Sequence, residues 1–217
     1  MSWLAYVDES IRTDDGVYVL AAVALDRADA AAVRAAVRAL EPRPGRRFHW
    51  RDRLPAARHS AAGLLAGLPT LAIAVVGAPV NPRRQERARR HCLGALLFEL
   101  ADAGVDEVCL ESRNPVADRR DLDVVGGFRV RGVVPPTLRV AHARAGDEPL
   151  LWAADIVAGA ICAAEGKEPA YREAVAAILT EHRIGLTRKR EAEVRVYPRG
   201  PRPTSDPTAE GPASGSG

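Results

Sequence analysis

Aromatic residues and lysines are scarce in this sequence, and its cysteines are isolated. Only 5% of the 217 residues are aromatic, whereas 47% are hydrophobic, so the core volume has to come from Ala, Val, Leu and Ile. The cysteines have neither the C-x-x-C spacing of a zinc site nor the even number of a disulfide framework. We therefore expect a globular protein with three reduced core cysteines: Cys92, Cys109 and Cys162.

Long apolar runs and a strong charge imbalance are also absent. No basic segment followed by an apolar one opens the chain, and no apolar run approaches the roughly 20 residues that a bilayer span needs. We therefore expect a cytoplasmic protein with no membrane partner. Lys and Arg number 31 against 28 Asp and Glu, and almost all of these cations are arginines. The net charge of +3 permits a nucleic-acid partner but does not require one.

The length of the chain suits one compact domain, which we predict over residues 1–197. Residues 198–217 are dominated by Pro, Gly, Ser and Thr, and we predict a disordered tail there. Within the domain, a hairpin is followed by alternating helices and strands, which predicts an α/β fold, a mixed β-sheet with helices packed on its faces. The predicted strands cover residues 3–7, 17–25, 70–76, 108–110, 138–141 and 192–197. The predicted helices cover residues 27–41, with Asp26 as N-cap and Pro42 as terminator, and residues 55–66, 82–103, 147–162 and 171–181.

Asp155 stands in the middle of the apolar helix predicted over residues 147–162. At helical spacing its neighbours are Leu151, Trp152, Ala158 and Gly159, and no Arg or Lys lies within one turn. A carboxylate in such surroundings costs several kcal/mol unless a cation, a metal or hydrogen bonds compensate it. Its partner must therefore come from elsewhere in the fold. The alternative is a structural aspartate that bonds a neighbouring backbone group or reaches water.

Asp8 and Glu111 each follow a short predicted strand. Acids at such junctions often make local hydrogen bonds to the backbone, and that alternative stays open for both residues. Together with Asp155 they form an all-oxygen ligand set that suits a hard divalent ion, Mg²⁺ or Mn²⁺. Two such ions about 4 Å apart can activate water and stabilise the leaving oxygen of a phosphodiester. Without metal the carboxylates repel one another, and the apolar helix face makes Asp155 the expected site of protonation.

Four motifs resemble a known but uncharacterised bacterial family, a domain of unknown function that opens on Y-[IV]-D-E-S. The resemblance covers the chain up to about Tyr197 and implies a ribonuclease H-like fold with Asp8 on the first strand, Glu111 on the fourth and Asp155 on a late helix. Typical members have Gly where this chain has Ile11, which affects the turn. The motifs are Tyr6-Val7-Asp8-Glu9-Ser10, Phe48-His49-Trp50, Glu111-Ser112-Arg113, and Leu151 to Ala160 with the sequence LWAADIVAGA.

Ribonuclease H-like nucleases often use a fourth acid from a helix between the strands. Neither Glu86 nor Glu99 matches a motif for that role, so the fourth ligand stays open.

Some further residues are predicted to support the site. Glu9 and Ser10 follow Asp8 directly, although strand alternation would turn Glu9 away from the face that Asp8 uses. His49 is expected to act as a proton shuttle or a phosphate contact, or else to pack between its aromatic neighbours. Arg113 is expected to steady the glutamate of its own motif or to contact a phosphate.

Five arginines crowd the start of the helix predicted over residues 82–103. Such a cluster suits phosphates along a nucleic-acid backbone, and a solvated helix face explains it equally well. The cluster comprises Arg83, Arg84, Arg87, Arg89 and Arg90, of which we assign Arg83, Arg84, Arg87 and Arg90 to nucleic-acid binding.

Two functional hypotheses follow from these residues. The first is a metal-dependent nuclease or phosphodiesterase that acts on RNA or DNA through Asp8, Glu111 and Asp155. The second is a noncatalytic nucleic-acid- or protein-binding module of the same fold, in which the aspartates serve only as hydrogen-bond acceptors. A role as a toxin or defence component is compatible with either hypothesis.

Overall fold

One mixed six-stranded sheet organises the protein. The computed structural model describes residues 2–41 and 43–187. The strands are arranged in the order β5-β4-β1-β2-β3-β6. Strand β1 pairs antiparallel with β2 and parallel with β4, β2 pairs antiparallel with β3, and the outer pairs β4/β5 and β3/β6 are parallel. The strands are β1 Trp3–Arg12, β2 Val17–Asp26, β3 Leu71–Ala78, β4 Val105–Glu111, β5 Arg139–Ala143 and β6 Leu179–Gly185.

The described part of the chain contains six α-helices, and these cover the two faces of the sheet. Helices α1, α2, α5 and α6 share one hydrophobic core with the sheet, and α3 and α4 share the other. Short 3-10 turns occupy Trp50–Asp52, Pro82–Arg84 and Ala176–Ile178. The helices are α1 Ala30–Arg38, α2 Pro55–Ala66, α3 Gln85–Asp102, α4 Pro115–Val130, α5 Leu150–Glu165 and α6 Ala170–Ala174.

Strand alternation divides β1 between the two cores. Leu4 and Tyr6 point to the core that contains α5, and Ala5 and Val7 point to the core that contains α3. The predicted mixed sheet with helices on its faces is therefore confirmed.

Several predicted boundaries are wrong. Strand β1 continues to Arg12 because its pairing with β2 extends beyond the pairing with β4. Helix α1 begins at Ala30, and the Asp26 side chain accepts a hydrogen bond from the Ala28 N–H in the preceding turn instead of capping the helix.

Helix α4 and strand β6 were missed by the sequence analysis. The polar face of α4 hides its short apolar stripe, and its N-terminus is capped by Asn114, which accepts hydrogen bonds from two backbone N–H groups. The predicted helix over residues 171–181 ends at Ala174, and β6 begins at Leu179 because it pairs with β3. The strand predicted over residues 192–197 and the tail predicted over 198–217 lie outside the described residues.

In the part of the chain that the structure describes, none of the helices combines the length and the apolar character needed to cross a bilayer.

Helix α5 is enclosed on every side. All residues from Leu150 to Ala163 are buried, which is typical of a central helix and not of an amphipathic surface helix. Gly159 lets the Trp50 ring lie directly against the helix, since a Cβ at that position would stand 2.3 Å from the ring. Trp50 also makes an edge-on contact with Tyr171, with ring centroids 5.1 Å apart, and the Arg58 guanidinium lies over its ring. The turn that contains Trp50 is thereby fixed to α5.

A methyl group at Gly159 is expected to destabilise the protein. Gly159→Ala overpacks the contact with Trp50 and should lower the free energy of unfolding by about 1–3 kcal/mol. The matched control is Gly63→Ala in α2, where an added Cβ meets nothing within 4 Å and helix propensity predicts a gain of up to about 1 kcal/mol. Urea denaturation of both variants measures the difference. Equal stability of Gly159→Ala and wild type would show that Trp50 does not fix the turn to α5.

Candidate active site

The carboxyl groups of Asp8 and Glu111 meet where the parallel pairing of β1 and β4 ends. The last paired residues are Val7 and Leu110, so Asp8 and Glu111 are the next neighbours on the two strands. Their side chains are in hydrogen-bond contact. Desolvation by the surrounding protein raises the pKa of Asp8 well above its usual range, and the contact with Glu111 and the charge of Asp155 raise it further. The carboxyl group of Asp8 therefore takes up a proton more readily than an ordinary aspartate does.

Asp155 faces the same cavity from α5 and is held by the segment that precedes α2. Its Oδ2 accepts a hydrogen bond from the backbone N–H of Trp50 at 2.8 Å and lies 3.1 Å from Nδ1 of His49. The hydrogen bond to Asp155 raises the pKa of His49. The partners of Asp155 that were expected from elsewhere in the fold are thus the backbone N–H of Trp50 and the imidazole of His49.

Arg47 supplies a cation to the carboxyl pair. Its Nη1 lies 2.7 Å from Oε1 of Glu111. The backbone of His49 is extended, and side chains alternate along this segment: Phe48 and Trp50 are buried in the core, while Arg47 and His49 reach the acids. The buried aromatics therefore determine where both polar side chains stand.

A cavity of about 300 Å³ lies between these groups. The three acids line it together with His49, Arg51 and Arg113, among other residues. A second cavity of about 360 Å³ shares Ser10, Ile11, Trp50 and Arg51 with it and extends toward the β1–β2 turn. The acids thus stand at one end of a longer depression in the surface.

Glu9 occupies the opposite face of the sheet, as strand alternation predicts. Its carboxylate accepts hydrogen bonds from the Tyr18 hydroxyl and from Arg89, whose Nη1 lies 2.6 Å away. Arg89 also forms a bidentate ion pair with Asp121 of α4, and both residues are only 4% exposed. Arg89 is therefore a buried structural cation, in contrast to the exposed residues Arg83, Arg84, Arg87 and Arg90.

Arg113 and Ser10 have partners that the sequence did not indicate. Arg113 pairs with Glu86 and Asp121, so Arg47, and not Arg113, steadies Glu111. The Ser10 hydroxyl interacts with the Cys162 thiol on α5. Both residues still line the first cavity.

The donor set suits a hard cation, although the side chains as they stand do not enclose one. Among residues 2–41 and 43–187, no group of three or more His, Cys, Asp or Glu side chains is arranged as a metal site. A divalent ion can nevertheless bind between two carboxyl groups in contact if it displaces a proton. All the atoms that these groups offer to a metal are oxygens. The hydrogen bonds to Asp155 use Oδ2, which leaves Oδ1 for a ligand. Asp8, Glu111 and Asp155 thus supply the oxygen donors that Mg²⁺ or Mn²⁺ prefers, although their side chains are not arranged as a metal site.

Sequence reasoning missed Arg47, which pairs with Glu111, and Asp121, which pairs with Arg89. Alternation of polar and apolar residues from Arg47 to Trp50 was a signal that Arg47 and His49 share one side. Asp121 lies on the apolar stripe of α4 between Ala117 and Val125, both buried, but that stripe could be recognised only once the helix was known.

Comparison with known proteins supports the fold. No protein-family model matches the chain, and no curated protein matches its sequence. The structure is similar to the RNase HII in the structure of the PCNA:RNase HII complex from Archaeoglobus fulgidus, with a TM-score of 0.51 and 16% sequence identity over 79% of this chain and 78% of that chain. The fold is thus ribonuclease H-like. At this identity the likeness does not extend to activity.

The Arg89–Asp121 pair should make stability depend on acid pH. Burial by itself would raise the pKa of Asp121, but hydrogen bonds from His142 and Arg89 and nearby positive charge hold that pKa well below its usual range. Asp121→Asn removes the bidentate carboxylate of the buried Arg89 guanidinium, leaves Glu9 as its remaining carboxylate partner, and should cost about 3 kcal/mol at neutral pH. The deficit should be full above about pH 4 and shrink below it, because the unfolded wild-type chain then binds a proton that folded Asp121 resists.

Urea denaturation at about pH 7 and about pH 3 measures this difference. The matched control is Asp123→Asn on the same helix, whose side chain is 72% exposed and whose loss should change stability by less than about 0.5 kcal/mol. An Asp121→Asn deficit of the same size at both pH values would contradict the charge-based explanation.

Proposed function

We propose that this protein is a nuclease that depends on Mg²⁺ or Mn²⁺ and cleaves phosphodiester bonds of RNA or DNA. One observation carries the proposal: two carboxyl groups in contact at the end of the β1–β4 pairing, with a third acid facing them in the same cavity. Such a group of acids is costly to keep without a cation, since each carboxylate raises the cost of charging the others. The ribonuclease H-like fold supports the proposal only as an analogy.

In the proposed site, Asp8, Glu111 and Asp155 hold the divalent ion, and Trp50 and His49 orient Asp155 through their hydrogen bonds to Oδ2. When bound, the ion supplies an activated water and stabilises negative charge on the phosphodiester. Because metal-binding carboxyl groups must be deprotonated, the raised pKa of Asp8 would make binding of the ion release a proton. The exposed arginines at the start of α3 bind the backbone phosphates of the nucleic acid.

Asp8→Asn should abolish cleavage and spare nucleic-acid binding. Loss of an ion-binding carboxylate should lower the rate about 100-fold or more, whereas Asp102→Asn, an exposed acid at the opposite end of β4, should leave it unchanged. Cleavage of labelled single-stranded and duplex RNA and DNA is measured with Mg²⁺, Mn²⁺ and chelator. If the wild-type protein binds nucleic acid but cuts none of these substrates with either metal, the noncatalytic binding module replaces the nuclease.

Arg87→Ala/Arg90→Ala should have the reverse effect. Both arginines are exposed, and loss of two phosphate contacts should weaken binding and reduce the slope of log K against log salt by roughly one unit for each contact. Arg38→Ala at the end of α1, on the other side of the sheet, serves as the control for a change in net charge. Fluorescence anisotropy at several salt concentrations gives the slopes. Slopes equal to that of the wild type would remove this helix from the nucleic-acid surface.

A further inference from the structure

The ion pair between Arg47 and Glu111 is not explained by the stability of the fold. The Arg47 side chain is 44% exposed, and an ion pair at such a place contributes only about 0–1 kcal/mol. Phe48 and Trp50 already anchor the segment to the core, so Arg47 is not needed to hold it. What the ion pair does is place the Arg47 guanidinium against Glu111, one of the two carboxyl groups in contact.

Arg47 is also the cation that the carboxyl pair lacks otherwise. Of the other arginines near the site, Arg89 and Arg113 pair with Asp121, whereas Arg51 lines the cavity and donates to the Ile11 carbonyl without pairing with an acid. Among the hydrogen bonds and ion pairs of the described residues, only Arg47 brings an arginine to Glu111. A divalent ion bound by Glu111 would compete with it for the same carboxylate.

We propose that Arg47 is a substrate-binding residue, which pairs with Glu111 until the divalent ion binds and then contacts a phosphate of the nucleic-acid backbone beside the reacting one. This inference rests on the proposed function and adds a residue to it. A guanidinium presents a planar fork of N–H donors that fits a carboxylate and a phosphate equally well. The exposed position of Arg47 and its long side chain allow the exchange without a change in the anchored backbone.

The first test measures metal binding and not activity. Isothermal titration of the full chain with Mn²⁺ should give an affinity about three- to fivefold tighter for Arg47→Ala than for the wild type, because a competing ion pair is lost. Arg47→Lys, which keeps the charge, should stay closer to the wild type. Arg46→Ala removes an equal charge from the exposed neighbouring residue and should change the affinity less than twofold. Unchanged or weaker Mn²⁺ binding by Arg47→Ala would overturn the exchange.

The second test measures binding of a labelled oligonucleotide with Ca²⁺ in place of Mg²⁺, so that affinity is read without turnover. Arg47→Ala should bind the oligonucleotide about fivefold or more weakly, as expected for a lost charged contact to phosphate, although it binds metal more tightly. Arg46→Ala should stay within twofold of the wild type. Equal oligonucleotide affinities of Arg47→Ala and wild type would overturn the substrate contact.

Failure of the proposed function gives a different result. If the wild type binds Mn²⁺ but cleaves no nucleic acid, the nuclease proposal fails, while tighter Mn²⁺ binding and weaker oligonucleotide binding by Arg47→Ala would still support the role of Arg47. If the wild type binds no Mn²⁺, both proposals fall together. Thermal unfolding serves as the folding control, and Arg47→Ala should unfold within a few degrees of the wild type because the lost ion pair is exposed.

Discussion

The surrounding structure depends on one constraint: the negative charges of several acidic side chains lie close together where the pairing of β1 and β4 ends. Asp8, Glu9 and Glu111 are neighbours on two adjacent strands, and Asp155 approaches from α5. The side chains of Glu9, Glu111 and Asp155 are no more than 22% exposed, so each carboxylate needs a proton, a hydrogen-bond donor or a cation. The partners of these acids come from both faces of the sheet and from the segment before α2.

The two faces of the sheet meet this requirement in different ways. On the α3 side, Arg89 is buried between Glu9 and Asp121, and breaking that network would leave an uncompensated charge in the interior. On the α5 side, the cation is the exposed Arg47, and the pKa of Asp8, which contacts Glu111, is raised well above its usual range. The first arrangement is permanent. The second includes a partly exposed arginine, and for that reason we place the proposed chemistry on the α5 side.

The position of Asp155 depends on packing more than on charge. Helix α5 is buried along almost its whole length, and Gly159 lets Trp50 lie against it, which brings the Trp50 N–H to the carboxylate. The carboxylate therefore accepts hydrogen bonds through Oδ2, and Oδ1 remains for a further partner. A structural acceptor and a metal ligand are compatible roles for one side chain, so burial of Asp155 by itself does not separate an enzyme from a binding module.

The sequence by itself determined the mixed sheet with helices on its faces and most of the helices and strands, although not α4 and β6, because hydrophobic periodicity is a local property. It also placed Asp8 and Glu111 at the ends of two strands and Asp155 on a late helix. The tertiary structure alone decided which partners these acids have. Arg47 and His49 reach the site because Phe48 and Trp50 are anchored in the core. Arg89 is buried, unlike the other arginines at the start of α3, because it pairs with Asp121 of helix α4, which was not predicted. Those pairings join residues that are 32 or more positions apart in the sequence. A pattern within a single segment cannot predict contacts between residues so far apart.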